Sequence, residues 1–254
     1  MTLFSILSPQ ELLLAMAIAF AAGWIKGMVG FAMPMVMVSG LNSFLPPGLT
    51  LAGLILPTLV TNGLQALRGG GTAAIASIRR FRVFLIVGGL FLLLSAQLVT
   101  LVPGSVFLLL IGGFVSVFAL LQVLGFRMAL NRPSNVVEAV VGGVAGFVGG
   151  MSGVWGPPTV TYLTALNTPK TEQIRIQGVI YGLGAVLLLV AHLGSGILRA
   201  ETLPFSAALI LPAMAGMWVG VKLQDRIDQA SFRKATLFVL LVAGLNLLRR
   251  GLVG

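Results

Sequence analysis

Gly23-Trp24-Ile25-Lys26-Gly27-Met28-Val29-Gly30-Phe31-Ala32-Met33-Pro34 lies inside an apolar run from Leu12 to Leu45. A straight bilayer span needs about 20 apolar residues, so this run is too long for one helix. Gly27, Gly30 and Pro34 interrupt it near its middle, which predicts a broken helix or a hairpin. The same event recurs at residues 136 to 166, where Gly149, Gly150, Gly153, Gly156, Pro157 and Pro158 break the run. A shift of 123 positions matches Gly23 to Gly146, Gly27 to Gly150, Met28 to Met151, Gly30 to Gly153, Pro34 to Pro157 and Pro46 to Pro169. Six identities in 24 positions mark an internal duplication.

Composition gives the solvent. Charged residues make up 9 % of the chain against 57 % hydrophobic, too few to cover so apolar a chain in water. Residues 27 to 67, 83 to 126, 139 to 169, 176 to 198 and 202 to 221 carry no Asp, Glu, Lys or Arg, and each stretch is as long as a membrane span. The chain therefore reads as an all-α polytopic protein whose main partner is the lipid bilayer. No basic segment or cleavage site precedes the first apolar run, so that run is expected to remain in the mature protein. The net charge of +10 comes from Lys and Arg in short gaps between apolar runs, a topology signal rather than a nucleic-acid surface. The absence of cysteine excludes disulfides, thiolate metal sites and cysteine nucleophiles.

Three further apolar helices follow each break, near 49–67, 83–102 and 105–125, then near 176–194, 204–222 and 233–248. The expected organisation is one membrane domain over 1–254, with repeat one at 11–126, a linker at 127–133 and repeat two at 134–250. Each repeat is about 125 residues long. Positive charges then decide the relative orientation. If each broken segment crosses once, the repeats are parallel and Arg and Lys divide nine to six between the two sides. If each segment returns to its own side, the repeats are inverted and the split is twelve to three, with only Arg199, Arg249 and Arg250 outside. The rule that positive residues collect on the cytoplasmic side favours inverted repeats with both termini outside.

The chemistry concentrates at the breaks, where backbone amides leave helical hydrogen bonding within the bilayer. Pro34 and Pro157 suit the first turn of a new helix, so the amides before them offer positive dipole ends to an anion. Ser152, Trp155 and Thr159 add a hydroxyl and an indole N–H at the second break, unless they merely fill the core. Helix packing is the plainer account of the glycines, because small residues four apart let backbones approach closely. Lys26 is the one cation well within an apolar run. It either attracts the anion or snorkels its ammonium to water. Asn62, Gln65, Gln97, Gln177 and Tyr181 are polar side chains in apolar helices, serving a pathway or interhelical hydrogen bonds. His192 has the titration range for proton coupling and would otherwise be a packing residue.

At the two glycine and proline segments the chain resembles the TauE/SafE family of sulfite exporters, also called the 4-toluenesulfonate uptake permeases. Gly23-Trp-Ile-Lys-Gly-Met-Val-Gly30 with Pro34, and Gly146-Phe-Val-Gly-Gly-Met-Ser-Gly153 with Pro157, carry the likeness, which covers nearly the whole chain. It implies transport of a small anion, sulfite or an organosulfonate, without nucleotide hydrolysis or a cofactor, in the bacterial cytoplasmic membrane. By that likeness Gly27, Gly30, Gly150 and Gly153 shape a central site; Phe31 and Gly156, which lie at the breaks, are expected beside it. Phe31, Ala32 and Met33 replace the family's richer glycine run after the first break, which bears on the substrate's size.

Other function classes fit less well. Glu11, Glu138, Glu172, Glu201, Asp225 and Asp228 fall at segment ends or in loops, and no HExxH, GxSxG or Walker pattern occurs. An intramembrane enzyme therefore lacks its catalytic pair, and no metal ligand set is expected. An anion channel is the nearer alternative, and a membrane scaffold the more distant. Homo-oligomerisation is left open by the sequence.

Overall fold

Helix α1 (Pro9–Val29) begins where Ser8 and Glu11 form a reciprocal capping box, with Pro9 in the first turn. It ends at Gly30, whose φ of 85° turns the chain while its N–H still bonds Lys26 O at 2.7 Å. A computed structural model describes residues 7–100, 104–126, 130, 134–166 and 168–253. Of the expected linker 127–133, all but Leu130 lies outside these residues.

The elements after α1 are α2 (Met33–Leu41), α3 (Pro47–Leu67), α4 (Gly71–Arg80), α5 (Arg82–Ala96) and α6 (Gly104–Val123). Then follow α7 (Asn135–Ser152), α8 (Gly156–Ala165), α9 (Lys170–Gly194), α10 (Leu203–Ala208), α11 (Ile210–Gln224) and α12 (Gln229–Val253). No strand occurs among the described residues. Among the described residues, four stretches are long and apolar enough to cross a membrane: Pro9–Val29, Pro47–Leu67, Lys170–Gly194 and Leu203–Gln224. α4 departs from the sequence reading, which had no helix between Leu67 and Arg82. Its basic, amphipathic pattern does not produce an apolar run, yet it forms ten helical residues ending in Arg79 and Arg80.

The chain reverses at each break. Gly40 packs on Ile18, so α2 folds back along α1. Tyr162 and Gly142 both meet Phe84, so α8 likewise lies beside α7. Glycine seams then set the helix pairs. In α1 and α11, which run parallel, Gly23 meets the Ala213 backbone and Gly27 meets Met217 and Gly220. In α5 and α7, also parallel, Gly142 meets Phe84, Gly146 meets Gly88, and Gly150 meets Leu92 and Ala96. At these contacts even a methyl group would strike backbone. α3 and α9 run antiparallel, with Gly178 against Gln65 and Ala66 and Gly182 against Asn62. α6 and α12 are antiparallel too, Gly112 meeting Leu248 and Gly251 meeting Leu109.

Pro57 interrupts α3 and cannot donate to Gly53 O. Ser206 Oγ takes over that carbonyl at 3.3 Å and accepts from Leu56 N–H at 3.1 Å, which ties α10 to the bend. The polarity is inside out relative to a water-soluble protein. Leu13, Ile86, Leu211 and Trp218 are well exposed, whereas Lys26, Asn62, Gln65, Gln177 and His192 are buried.

Candidate functional site

Two chain reversals meet near the centre of the bundle. At the first, Gly30 and Ala32 both adopt left-handed backbone, with φ of 85° and 66°. For alanine this costs on the order of 1 kcal/mol. At the second, Gly153 has φ of 70°. The reversals touch, for a Cβ on Gly156 would lie 2.7 Å from the Phe31 ring. Neither segment is a continuous helix.

Between them lies a small cavity of about 10 Å³, lined by Lys26, Phe31, Ala32, Pro34, Met35, Asn62, Gly153, Val154, Trp155, Gly156 and Tyr181. Its only charged group is Lys26, fully buried, whose ammonium donates to Asn62 Oδ1. No carboxylate pairs with Lys26 among the described residues. Burying an ammonium without a counter-charge is costly, and an anion in the cavity would offset that cost. Asn62 Nδ2 reaches Tyr181 O at 3.4 Å, and Tyr181 Oη donates to Gly156 O at 3.3 Å. The N–H groups of Phe31, Ala32, Trp155 and Gly156 have no acceptor among the described residues. Both α2 and α8 begin here, so their positive dipole ends border the same space.

The structure divides the sequence candidates. Lys26, Phe31, Pro34, Gly153, Trp155, Gly156, Asn62 and Tyr181 share the cavity. Gly30 adjoins it as the turn, and Pro157 opens α8. Gly27 and Gly150 face α11 and α5 and serve as seams. Thr159 turns its hydroxyl to Trp155 O at 2.9 Å, a helix-internal bond. The side chain of Ser152 lies outside the described residues. Gln65 donates to Gly30 O at 2.9 Å and Ile174 O at 2.7 Å, with Gln177 beside Gly30. Gln97 is exposed at the end of α5 rather than buried, because α5 is shorter than the apolar run that contains it. His192 is buried with Nδ1 at 3.1 Å from Ser195 Oγ, and it does not line the cavity.

Ala32, Met35 and Val154 complete the lining. Alanine, methionine and valine carry no signal of such a role, although Ala32 and Val154 lie between the motif glycines and prolines. A second, wider space of about 520 Å³ opens on the Gly30 side, where Gln65, Arg68, Glu172, Arg175, Gln224 and Asp225 border it. Arg175 pairs with Glu172 at 3.6 Å there, and Gln224 caps α1 by donating to Met28 O at 3.1 Å. Arg68, Glu172, Arg175 and Asp225 had read as loop or helix-end charges, and Gln65 as a polar side chain of a pathway or of helix contacts.

No curated protein and no solved structure matches the chain. A family model described as Sulfite exporter TauE/SafE matches residues 15–247, from the first turns of α1 to near the end of α12 and through both reversals. With so apolar an exterior and so long a match, the chain is an integral membrane protein belonging to the TauE/SafE sulfite exporters, a family of transporters.

Proposed function

We propose that the chain is a secondary carrier of small oxyanions, sulfite or an organosulfonate, that binds its substrate between the two reversals. The observation that carries this reading is the convergence, on one cavity, of several free amides and a buried lysine that has no carboxylate partner among the described residues. Those donors suit an oxygen-rich monoanion or dianion. Lys26 and Asn62 would hold one face of it, and the N–H groups of Trp155 and Gly156 the other.

Alternating access is the mechanism we favour, with the substrate held between inverted repeats. The reading draws support from the helix directions. Positions offset by 123 fall on α1 and α7, α3 and α9, and α6 and α12, and the last two pairs run antiparallel. Both chain ends then lie on one side of the membrane, with Arg68, Arg80, Lys170 and Lys222 on the other. Positive charge marks that other side as cytoplasmic. In a bacterial inner membrane, expelling one negative charge gains about 2.3 kcal/mol per 100 mV. Net export of an anion therefore needs no coupling ion, in keeping with a cavity that His192 does not reach.

The test is ligand-dependent unfolding of the purified protein with sulfite, sulfate, thiosulfate, taurine, isethionate and 4-toluenesulfonate. A substrate at 100 times its dissociation constant adds about 2.7 kcal/mol, a shift that calorimetry resolves. If no anion moves the midpoint, the reading fails. Orientation is tested with cysteines placed singly at Arg80 and Lys222. An impermeant reagent should reach both from the cytoplasmic side, and labelling from opposite sides would overturn the inverted arrangement.

A further inference from the structure

Gln177 is fully buried, and neither Nε2 nor Oε1 has a hydrogen-bond partner among the described residues. Leaving a buried amide unpaired is costly, and a leucine at this position would avoid the cost. The side chain sits at the first reversal, where a Cβ on Gly30 would lie 2.5 Å from Gln177 Oε1. Gln65, also buried, bonds Gly30 O and Ile174 O through Nε2 while its Oε1 stays unpartnered. Gln65 is at the same time a wall of the wide space that holds Arg68 and Arg175. Two incompletely satisfied amides thus lie together at the first reversal, one of them on the vestibule wall.

The other reversal is covered differently. A Cβ on Gly153 would meet Leu54 Cδ1 at 2.9 Å and Leu188 Cδ2 at 3.6 Å. Leu54 and Leu188 are the positions that the 123-residue offset relates to Gln177 and Gln65. Eleven residues separate Gln177 from Leu188 on α9, so the two layers stand about 16 Å apart along the helix, on either side of the cavity.

We infer that Gln65 and Gln177 form a polar gate between the vestibule and the central cavity, opposed by an apolar gate of Leu54 and Leu188. The inference rests on the proposed anion site, whose solute this gate admits. Opening requires Gln65 to release Gly30 O and Ile174 O. The free Nε2 of Gln177 then donates to an oxyanion oxygen as the solute leaves the arginines, so the anion exchanges hydrogen bonds rather than shedding them. The leucine layer offers no such exchange and opens only by moving apart.

The chain has no cysteine, so Met35→Cys supplies a single thiol in the cavity wall. Its rate of reaction with a sulfonate-bearing methanethiosulfonate reads gate opening without any need for substrate binding. In the Met35→Cys background, Gln177→Leu should slow labelling by about tenfold, the loss expected when one hydrogen-bonding step is removed, whereas Gln65→Leu, which frees Gly30 O and Ile174 O from the latch, should speed it. Gln177→Asn keeps the amide and should restore most of the rate, which controls for misfolding. Leu54→Gln should speed labelling, because it makes the opposite layer polar. Unchanged labelling in both leucine variants overturns the gate even if sulfite still stabilises the protein. If no anion stabilises the wild type while Gln177→Leu still slows labelling and Gln65→Leu still speeds it, the carrier reading falls and the gate stands.

Discussion

The two chain reversals share a backbone path and its glycine and proline markers, and differ in the side chains that flank them. Both follow a helix of some five turns, both turn at a left-handed glycine, and both lead into a proline-started helix that doubles back. The first carries Lys26 and a strained Ala32, while the positions 123 residues later hold Gly149 and Trp155. At the second reversal Trp155 lies across Gly149 and against Gly184, within 6.2 Å of the Tyr181 ring. The lesson is that one geometry can present two chemistries. The lysine side supplies charge, and the tryptophan side supplies a wall.

Exchanging features between the reversals is the way to test this division. The largest effect should come from Trp155→Ala, which leaves a hole between the central cavity and an apolar one formed by Phe84, Gly88, Leu92, Gly146 and Gly184. Stability should drop by about 3–5 kcal/mol, read from the unfolding midpoint in detergent. Next is Lys26→Met, which removes the charge but keeps the volume. Anion binding should weaken by about 1.5–3 kcal/mol while the unliganded protein becomes no less stable, and a titration of the melting point separates the two. Retained affinity in Lys26→Met would show that the amides alone hold the anion.

Gly156→Ala comes third. Its methyl group would press on the Phe31 ring and drive the reversals apart, costing about 1–3 kcal/mol, whereas an alanine at exposed Gly48, which nothing crowds, should be neutral. The smallest effect belongs to Ala32→Gly. Relief of the left-handed strain is worth up to about 1 kcal/mol and is partly cancelled by the added freedom of the unfolded chain. A clear destabilisation there would mean that the Ala32 methyl matters to the cavity.

The apolar runs, both reversals and the offset between them were readable because hydropathy and glycine–proline interruption are local properties. α4 was not, since a ten-residue amphipathic helix bearing two arginines resembles a linker. Gln97 misled for a related reason: hydropathy does not reveal where within an apolar run a helix stops. Ala32 gave no hint of its φ, because nothing in an alanine marks it for left-handed backbone. The helix partners were the deeper omission. Gly23 and Gly27 signal that something packs closely, but that this is α11 is a fact about two segments nearly 190 residues apart. Buried charge was legible in the case of Lys26 alone, as the vestibule arginines and glutamines gather only once α3, α9 and α11 converge.

The seam between α1 and α11 bears on how the protein is made. Ribosomes add about 5–20 residues per second, so α1 enters the bilayer some 10–40 s before its partner is synthesised. Through that interval its glycine face, with Lys26 nearby, must be shielded by lipid, by the insertion machinery or by a provisional neighbour. The seam of the first helix therefore closes only with the late arrival of α11, and truncations that stop before Ile210 should leave the amino-terminal hairpin exposed to quality-control proteases.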